Sequence, residues 1–313
     1  MLDINAQAAR AAMPFDHLIP ALRNLFAIGC EVPLRHNHTI QKEGQDHGTV
    51  LLMPAWSEHL GYFGIKTVSI FPKNSAQGLP GLFSTYMLHS METGEPLALI
   101  DGNEITSRRT AAASALAADH LCRKDASRML LIGAGRVASL VPYAYRSVRN
   151  IESVSVWDIN EAASSRLVET LRRDGFDARV VDTLDHAAFG VDIVSAATLS
   201  TEPLVLRKYL RPGTHVDLIG SFTPTMRESD DGCFDGTSVY VDTDEAPMKS
   251  GDLLSPIQKG VLRREQIRAD LTSLCRAENP GRISEEEITV FKAVGTALED
   301  LAAAAMCYRA LQC

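Results

Sequence analysis

Leu130-Leu131-Ile132-Gly133-Ala134-Gly135-Arg136-Val137-Ala138 decides the fold. A strand-like apolar run ends in glycine-like positions, and a helix-prone segment follows. Gly133 permits a tight turn, Gly135 lets backbone approach a pyrophosphate, and Ala138 allows close packing of helix on strand. A helix starting there offers N–H groups and a positive dipole end to phosphate. The next strand-like run, Ser153–Trp157, is followed by Asp158, 25 positions after Gly133. The usual fingerprint places its acid roughly 20 residues on. A carboxylate there accepts from a ribose 2′-hydroxyl and repels a 2′-phosphate, which points to NAD, with NADP as the alternative. A phosphate-free structural turn and a solvated strand-end Asp are the plainer readings of the same residues. Pro142 falls inside the expected helix, where it should remove a backbone hydrogen bond and kink the chain.

Outward from this turn, strands and helices alternate. RMLLIG and SVSVW are strands, 161–173 is a helix, and ARVV, VDIVSAA, HVDLIG and SVYVD are further strands. Such alternation implies an α/β fold, a Rossmann-type doubly wound parallel sheet with helices on its faces. Upstream the texture differs. Residues 14–29 read as an amphipathic helix with Leu18, Leu22, Leu25 and Phe26 at helical spacing. Residues 49–101 read as a meander of antiparallel strands, with a turn at 92–95. From Thr106 an alanine-rich helix follows, with Thr106 or Ser107 as N-cap. At the C-terminus, Ser284 and Glu287 form a capping box. Ile288, Phe291, Val294, Leu298 and Leu301 then make an apolar stripe that predicts one long helix. That helix either packs on the nucleotide domain or crosses back to the first domain.

Composition excludes several classes. With 313 residues, 45% hydrophobic and 22% charged, the chain is globular and long enough for two domains. The longest apolar stretch, 301–308, is far below the roughly 18 residues of a membrane span. A net charge of −8 gives no footprint for nucleic acid or an anionic membrane. No secretory signal opens the chain. Six scattered cysteines (30, 122, 233, 275, 307 and 313) make no C-x-x-C, so reduced thiols in a cytoplasm are expected and a zinc site is not.

Three cations stand out. Lys66 shares the face of its strand, 64–70, with Val68 and Ile70, where an ammonium is costly without a partner. Arg108 and Arg109 begin the alanine-rich helix, where cations oppose the dipole and an anion would be welcome. Arg35, in VPLRHNH, is a third candidate. Lys66 snorkelling at a sheet edge and a solvated Arg108 are the plainer readings.

The segments GIKTV, ETGEPLALIDGNEITSRRTAAASALAA, GAGRVA and PGRISEEEITVFKAVGTALEDLAAA together resemble the ornithine cyclodeaminase/mu-crystallin family, from about residue 33 to 309. The resemblance implies a Rossmann domain inserted into a second, α+β domain made from both chain ends. The corresponding division is 1–115 with 287–313 for substrate binding and dimerisation, and 116–286 for the dinucleotide. It implies a homodimer and reactions between an amino acid and its imine with a nicotinamide cofactor. By position, Arg35, Lys66 and Arg109 match the residues that grip a substrate α-carboxylate. Gly133, Gly135, Arg136 and Val137 match the pyrophosphate turn, and Asp158 the ribose acid. Thr198 and Gly220 match strand-end cofactor positions, and Val294 a position near substrate.

Departures separate the activities. Val137 replaces the usual Gln, and Gly78-Leu79-Pro80-Gly81 replaces Gly-Leu-Pro-Thr. Cyclodeaminases and related alanine dehydrogenases carry Gly-Ala-Asp then Pro-Gly-Lys where this chain has Gly220-Ser221-Phe222 then Thr223-Pro224-Thr225-Met226. Phe222 therefore stands where cyclodeaminases carry the acid that engages a substrate amine. Mu-crystallin, a ketimine reductase, also lacks that acid, and GSFTPTMRE and LFSTYMLHS look most like bacterial Δ1-pyrroline-2-carboxylate reductases. The expected function is NAD(P)H-dependent reduction of a cyclic ketimine carboxylate, with Lys66 and Arg109 as the catalytic pair and Phe222 against the substrate. The alternatives are ornithine cyclodeaminase and a non-catalytic NAD(P)-binding protein.

Overall fold

The computed structural model describes residues 1–312, apart from the side chains of Asp46, Ser75 and His186. Cys313 lies outside the described residues, and Cys30, Cys122, Cys233, Cys275 and Cys307 form no disulfide. The chain divides into two compact units. The first comprises Met1–Arg109 and the chain from Thr296 on, the second Thr110–Gly295. Among the described residues no helix is long and apolar enough to cross a membrane.

The first unit is built on a six-stranded sheet. Its strands are β1 (Leu2–Ile4), β2 (His36–Lys42), β3 (Gln45–Ser57), β4 (Tyr62–Ile70), β5 (Leu82–Ser90) and β6 (Pro96–Asp101), in the order β1-β6-β5-β4-β3-β2. β3 to β6 form the expected antiparallel meander, β2 extends it by pairing antiparallel with β3, outside the expected range, and β1 adds to β6 in parallel. The register lines up Ile4, Ile100, Tyr86, Lys66 and Met53 across five strands, all buried. The helices Phe15–Ile28 and Ala297–Ala310 pack against each other, and the second lies on β3, β4 and β5. The first has its Leu18, Leu22, Leu25 and Phe26 stripe buried, which is why it forms at the expected place.

The second unit carries an eight-stranded, wholly parallel sheet. The strands are β7 (Arg128–Ile132), β8 (Ser153–Trp157), β9 (Asp177–Val180), β10 (Ile193–Ala196), β11 (His215–Leu218), β12 (Ser238–Val241), β13 (Ile267–Asp270) and β14 (Thr289–Lys292). Their order is β13-β12-β14-β11-β10-β7-β8-β9. The order reverses beside β7, between β10 and β8, which is the switch point where open α/β sheets bind ligands. The core includes Leu130, Ile132, Val194, Val216, Leu218, Val239 and Val290.

Three expectations need correction. The C-terminal 30 residues are not one helix: Thr289–Lys292 is a strand inserted between β11 and β12, and the helix begins at Ala297 with Thr296 as its N-cap. β-branched and aromatic side chains buried on both faces favour the strand. Ser284 and Glu287 close a turn instead, with Glu287 accepting from the Ser284 N–H at 3.0 Å and from the Ile283 N–H. The alanine-rich helix starts at Gly102, not Thr106, because Asp101 at the strand end accepts from the Glu104 N–H at 2.8 Å. Arg109 therefore lies well inside the helix, and the opposing-dipole argument for it does not hold. Pro142 lies in the first turn of the helix Val141–Arg146, after a short 3-10 turn at Ala138–Leu140. Its missing N–H has no helical partner to lose there, so it marks a helix start without a kink.

Candidate active site

In the second unit the glycine turn has the predicted form. Gly133 has φ +108°, and a Cβ there would fall 2.7 Å from the Ala197 carbonyl oxygen and 3.3 Å from the Thr198 side chain. Only glycine serves there, both for the backbone conformation and for the approach to the loop after β10. Around Gly135, by contrast, a Cβ would meet nothing within 4 Å. Among the described residues, the N–H groups of Gly135, Arg136 and Val137 have no protein acceptor. Open space beside donors at a helix start suits a pyrophosphate, so these residues fit a dinucleotide. Asp158 is bound to the same turn: its Oδ2 accepts from the Ala134 N–H at 2.7 Å and its Oδ1 from the Asn160 N–H at 2.8 Å. The acid is thus held half-buried at the lip of the turn, each oxygen keeping acceptor capacity for a ribose hydroxyl.

Thr198 follows β10 and Gly220 follows β11, and both backbone N–H groups donate to the carboxylate of Glu228, each at 2.6 Å. Phe222 is 45% exposed on the loop after β11. Val294, half-buried, follows β14 and donates its N–H to Asp242 at 2.7 Å. Because all these strands are parallel, every one of these residues sits at the same, carboxyl end of the sheet as the Gly133 turn.

In the first unit Lys66 and Arg109 come together on one acid. Lys66 Nζ lies 2.8 Å from Asp300 Oδ1 and 2.7 Å from Oδ2. Arg109 donates its Nε to Asp300 Oδ1 at 2.9 Å and a terminal N–H to Glu299 at 2.5 Å. Lys66 is 2% exposed, so it does not snorkel. Burial, with Arg109 beside it, outweighs the lift from Asp300 and Glu299 and brings its ammonium down to about 8. Burial works to raise the Asp300 carboxyl, but Lys66 and Arg109 outweigh it and hold it below the usual range. Tyr86, opposite Lys66 on β5, has a fully buried hydroxyl packed over Gly64, where a Cβ would collide with it. Arg35 is half-buried and immediately precedes β2; continuing the β2–β3 register sets it opposite Met53, which is opposite Lys66. Arg108 is engaged elsewhere, donating to the Met13 carbonyl at 2.8 Å and lying over the Phe15 ring.

Sequence reasoning missed Glu299, Asp300, Glu228 and Lys292. A signal existed for the first two: a pair of acids set between Leu298 and Leu301 of an apolar stripe is as costly to bury as Lys66 without a partner.

The family model for ornithine cyclodeaminase/mu-crystallin proteins matches residues 13–312. The chain belongs to this family. Within it, the chain is 39% identical to a Δ1-pyrroline-2-carboxylate reductase of Paracoccus denitrificans, over 86% of this chain and 87% of the relative. The structure of the Thermococcus litoralis Δ1-pyrroline-2-carboxylate reductase in complex with NADH and L-proline superposes with a TM-score of 0.93 at 32% identity, covering 100% of this chain and 98% of the other. An archaeal alanine dehydrogenase dimer with bound NAD superposes at 0.91 with 30% identity, covering 100% and 96%. The backbone of this family is thus shared between activities, and side chains have to separate them.

Proposed function

We propose that the protein is an NAD(P)H-dependent reductase of cyclic ketimine carboxylates, of the kind that turns Δ1-pyrroline-2-carboxylate into L-proline, working as a cytoplasmic homodimer. The observation that carries this choice is Phe222. It stands exposed at the carboxyl end of the sheet, at the position where cyclodeaminases carry the acid that engages a substrate amine. An apolar ring there cannot pair with a second ammonium and would desolvate it, but it packs well on a ring already closed. The reductase relatives point the same way.

The protein's part is orientation and charge. Arg109 presents a planar fork to the substrate carboxylate, and Lys66 adds a point charge. Asp300 and Glu299 fix both cations, so little ordering remains when the substrate arrives. A cyclic imine reduced at carbon needs one proton at nitrogen, and a Lys66 ammonium brought down to about 8 holds such a proton loosely enough to give. The dinucleotide, when bound, supplies the hydride. Gly133, Gly135, Arg136 and Val137 would hold its pyrophosphate, and Asp158 the ribose, with Thr198 and Gly220 lining the loops beside them. Phe222 and Val294 exclude water from the ring.

The test is absorbance at 340 nm with NADH or NADPH and the five- and six-membered cyclic imino acids. L-ornithine is incubated in parallel with catalytic NAD, with ammonia and proline measured. Imine reduction without ammonia release is expected. Stoichiometric ammonia and proline from L-ornithine, at a rate comparable to imine reduction, would overturn the assignment in favour of a cyclodeaminase.

A further inference from the structure

We propose that ionised Glu228 is a positioning residue that holds the loops carrying Thr198, Gly220 and Phe222 in the shape that takes the dinucleotide; the inference rests on the dinucleotide reading of the Gly133 turn.

The argument starts where the sheet ends. β10 and β11 are neighbours, and beyond them the Ile219 N–H still donates to the Ala196 carbonyl at 2.8 Å. Past that point the two chains leave the sheet, and one carboxylate takes over from the ladder. Glu228 Oε1 accepts from the Thr198 N–H at 2.6 Å and the Thr198 hydroxyl at 2.9 Å, and Oε2 accepts from the Gly220 N–H at 2.6 Å. The Glu228 carbonyl oxygen accepts from the N–H groups of Leu204 and Val205, at 2.9 and 2.8 Å. A single residue therefore closes the 198–205 loop and the 220–228 loop together. The closure is tight: a Cβ on Gly220 would collide with the Thr198 carbonyl oxygen and the Glu228 carboxylate.

Two of the three side-chain partners are backbone N–H groups, one at each oxygen, and these can only donate; the Thr198 hydroxyl can donate or accept. A protonated carboxyl can aim its O–H only at the Thr198 hydroxyl, and it accepts from the two N–H groups without the charge that makes those bonds strong. The groups around Glu228 set how readily that happens. Lys292, on β14, lies 3.9 Å from Oε2 and donates to the Leu218 carbonyl at 3.0 Å. Asp252, on the helix Gly251–Gln258, lies 3.5 Å from Lys292 and accepts from the N–H groups of Glu228 and Ser229, both at 2.9 Å. Arg227 faces away, toward Ser255 and Asp231. One cation thus serves two fully buried acids. Burial pushes the Glu228 carboxyl up to about 7, Lys292 drawing it down and Asp252 raising it again. The loops therefore lose their clasp within the neutral pH range.

The experiment is a fluorescence titration of NADH into the full-length protein between about pH 6 and pH 8.5. The wild type, Glu228→Gln and Thr198→Val are compared, with thermal melts to confirm folding. When only the ionised fraction is competent, apparent Kd rises about tenfold from pH 8 to pH 6. Glu228→Gln, whose NH2 cannot accept, should bind NADH about tenfold more weakly at pH 8 and show no such pH dependence. Thr198→Val removes one of the three contacts and leaves the charge. It should weaken binding less and keep the wild-type pH dependence, which keeps the test alive if Glu228→Gln fails to fold. Wild-type binding that is flat in pH, or a Glu228→Gln slope equal to that of the wild type, overturns the proposal. No NADH binding by the folded wild type at any pH would instead overturn the dinucleotide reading itself.

Discussion

The two units each bury a charge cluster, and the clusters behave oppositely. Lys66, Arg109, Glu299 and Asp300 set two cations against two acids in contact at 2.5 to 2.9 Å. Lys292, Glu228 and Asp252 set one cation against two acids at 3.5 and 3.9 Å. Burial is nearly complete in both. Yet Asp300 is held below the usual carboxylate range, whereas Glu228 is pushed up to about 7. Desolvation disfavours any buried charge, and only close opposite charge reverses it. Depth alone therefore does not decide ionisation; the count and distance of partners do. The first cluster keeps its acid Asp300 ionised beside the cations that meet an anionic substrate, and the second stands ready to change the charge of its own acid.

The largest effect should come from breaking the first cluster where it is most geometric. Arg109→Lys keeps the charge but loses the fork that meets Asp300 and Glu299. Transition-state stabilisation should fall by about 2–4 kcal/mol, roughly 30- to 900-fold in kcat/KM for the imine. NADH affinity, a property of the other cluster's unit, should be nearly unchanged. Equal losses in both measurements would show that the clusters are not separate devices.

The pH profile sharpens the contrast. If the charged Lys66 is needed, kcat/KM should fall about tenfold per pH unit above about 8. Asp300→Asn removes a group that lifts Lys66, so the descending limb should move to lower pH; an unmoved limb would assign it to another group. Stability carries the opposite sign. The folded value of Lys66 lies below its ordinary 10.5, so its contribution to the fold is present above that value and lost as pH falls through about 8. Melting curves between pH 8 and 10 should show this residue favouring the fold as activity declines.

A smaller effect separates the cofactors. A 2′-phosphate beside Asp158 costs on the order of 1 kcal/mol, so kcat/KM should favour NADH over NADPH several-fold. A clear NADPH preference would remove Asp158 from the ribose. The smallest effect tests the second cluster at its far member. Asp252→Asn keeps an oxygen for the Glu228 and Ser229 N–H groups but deletes the charge that raises Glu228. The pH dependence of NADH binding should then shift to lower pH, opposite to what another unpaired acid would do.

Local signals in the sequence went far in this chain. The Gly133 turn, the 161–173 helix and four strands of the meander were readable because their periodicity and punctuation are local. Lys66 was readable because a lysine on an apolar face needs a reason. Arg109 stands out in the sequence as a cation at a helix start, but the helix starts at Gly102, so that local argument does not hold for it. β14 was hidden because Ile288, Phe291 and Val294 fit a helical stripe as well as a short buried strand, and periodicity cannot separate the two over so few residues. Glu228 was hidden for a different reason. Its meaning lies in Thr198 and Gly220 converging on it, at separations of 30 and 8 residues.

β14 also bears on how the molecule comes to be folded. A strand made after the seven others of its sheet lies inside that sheet, hydrogen-bonded to β11 on one side and β12 on the other. Until it arrives, β12 and β13 have no link to the other five strands of that sheet. During synthesis, residues 110 to 288 must wait with two raw strand edges facing each other, a state prone to aggregation and to chaperone capture. A chain ending before Thr289 would therefore not be a shortened enzyme but a sheet in two parts, and emergence of Thr289–Lys292, rather than of the glycine turn, would set the moment at which the second unit becomes whole.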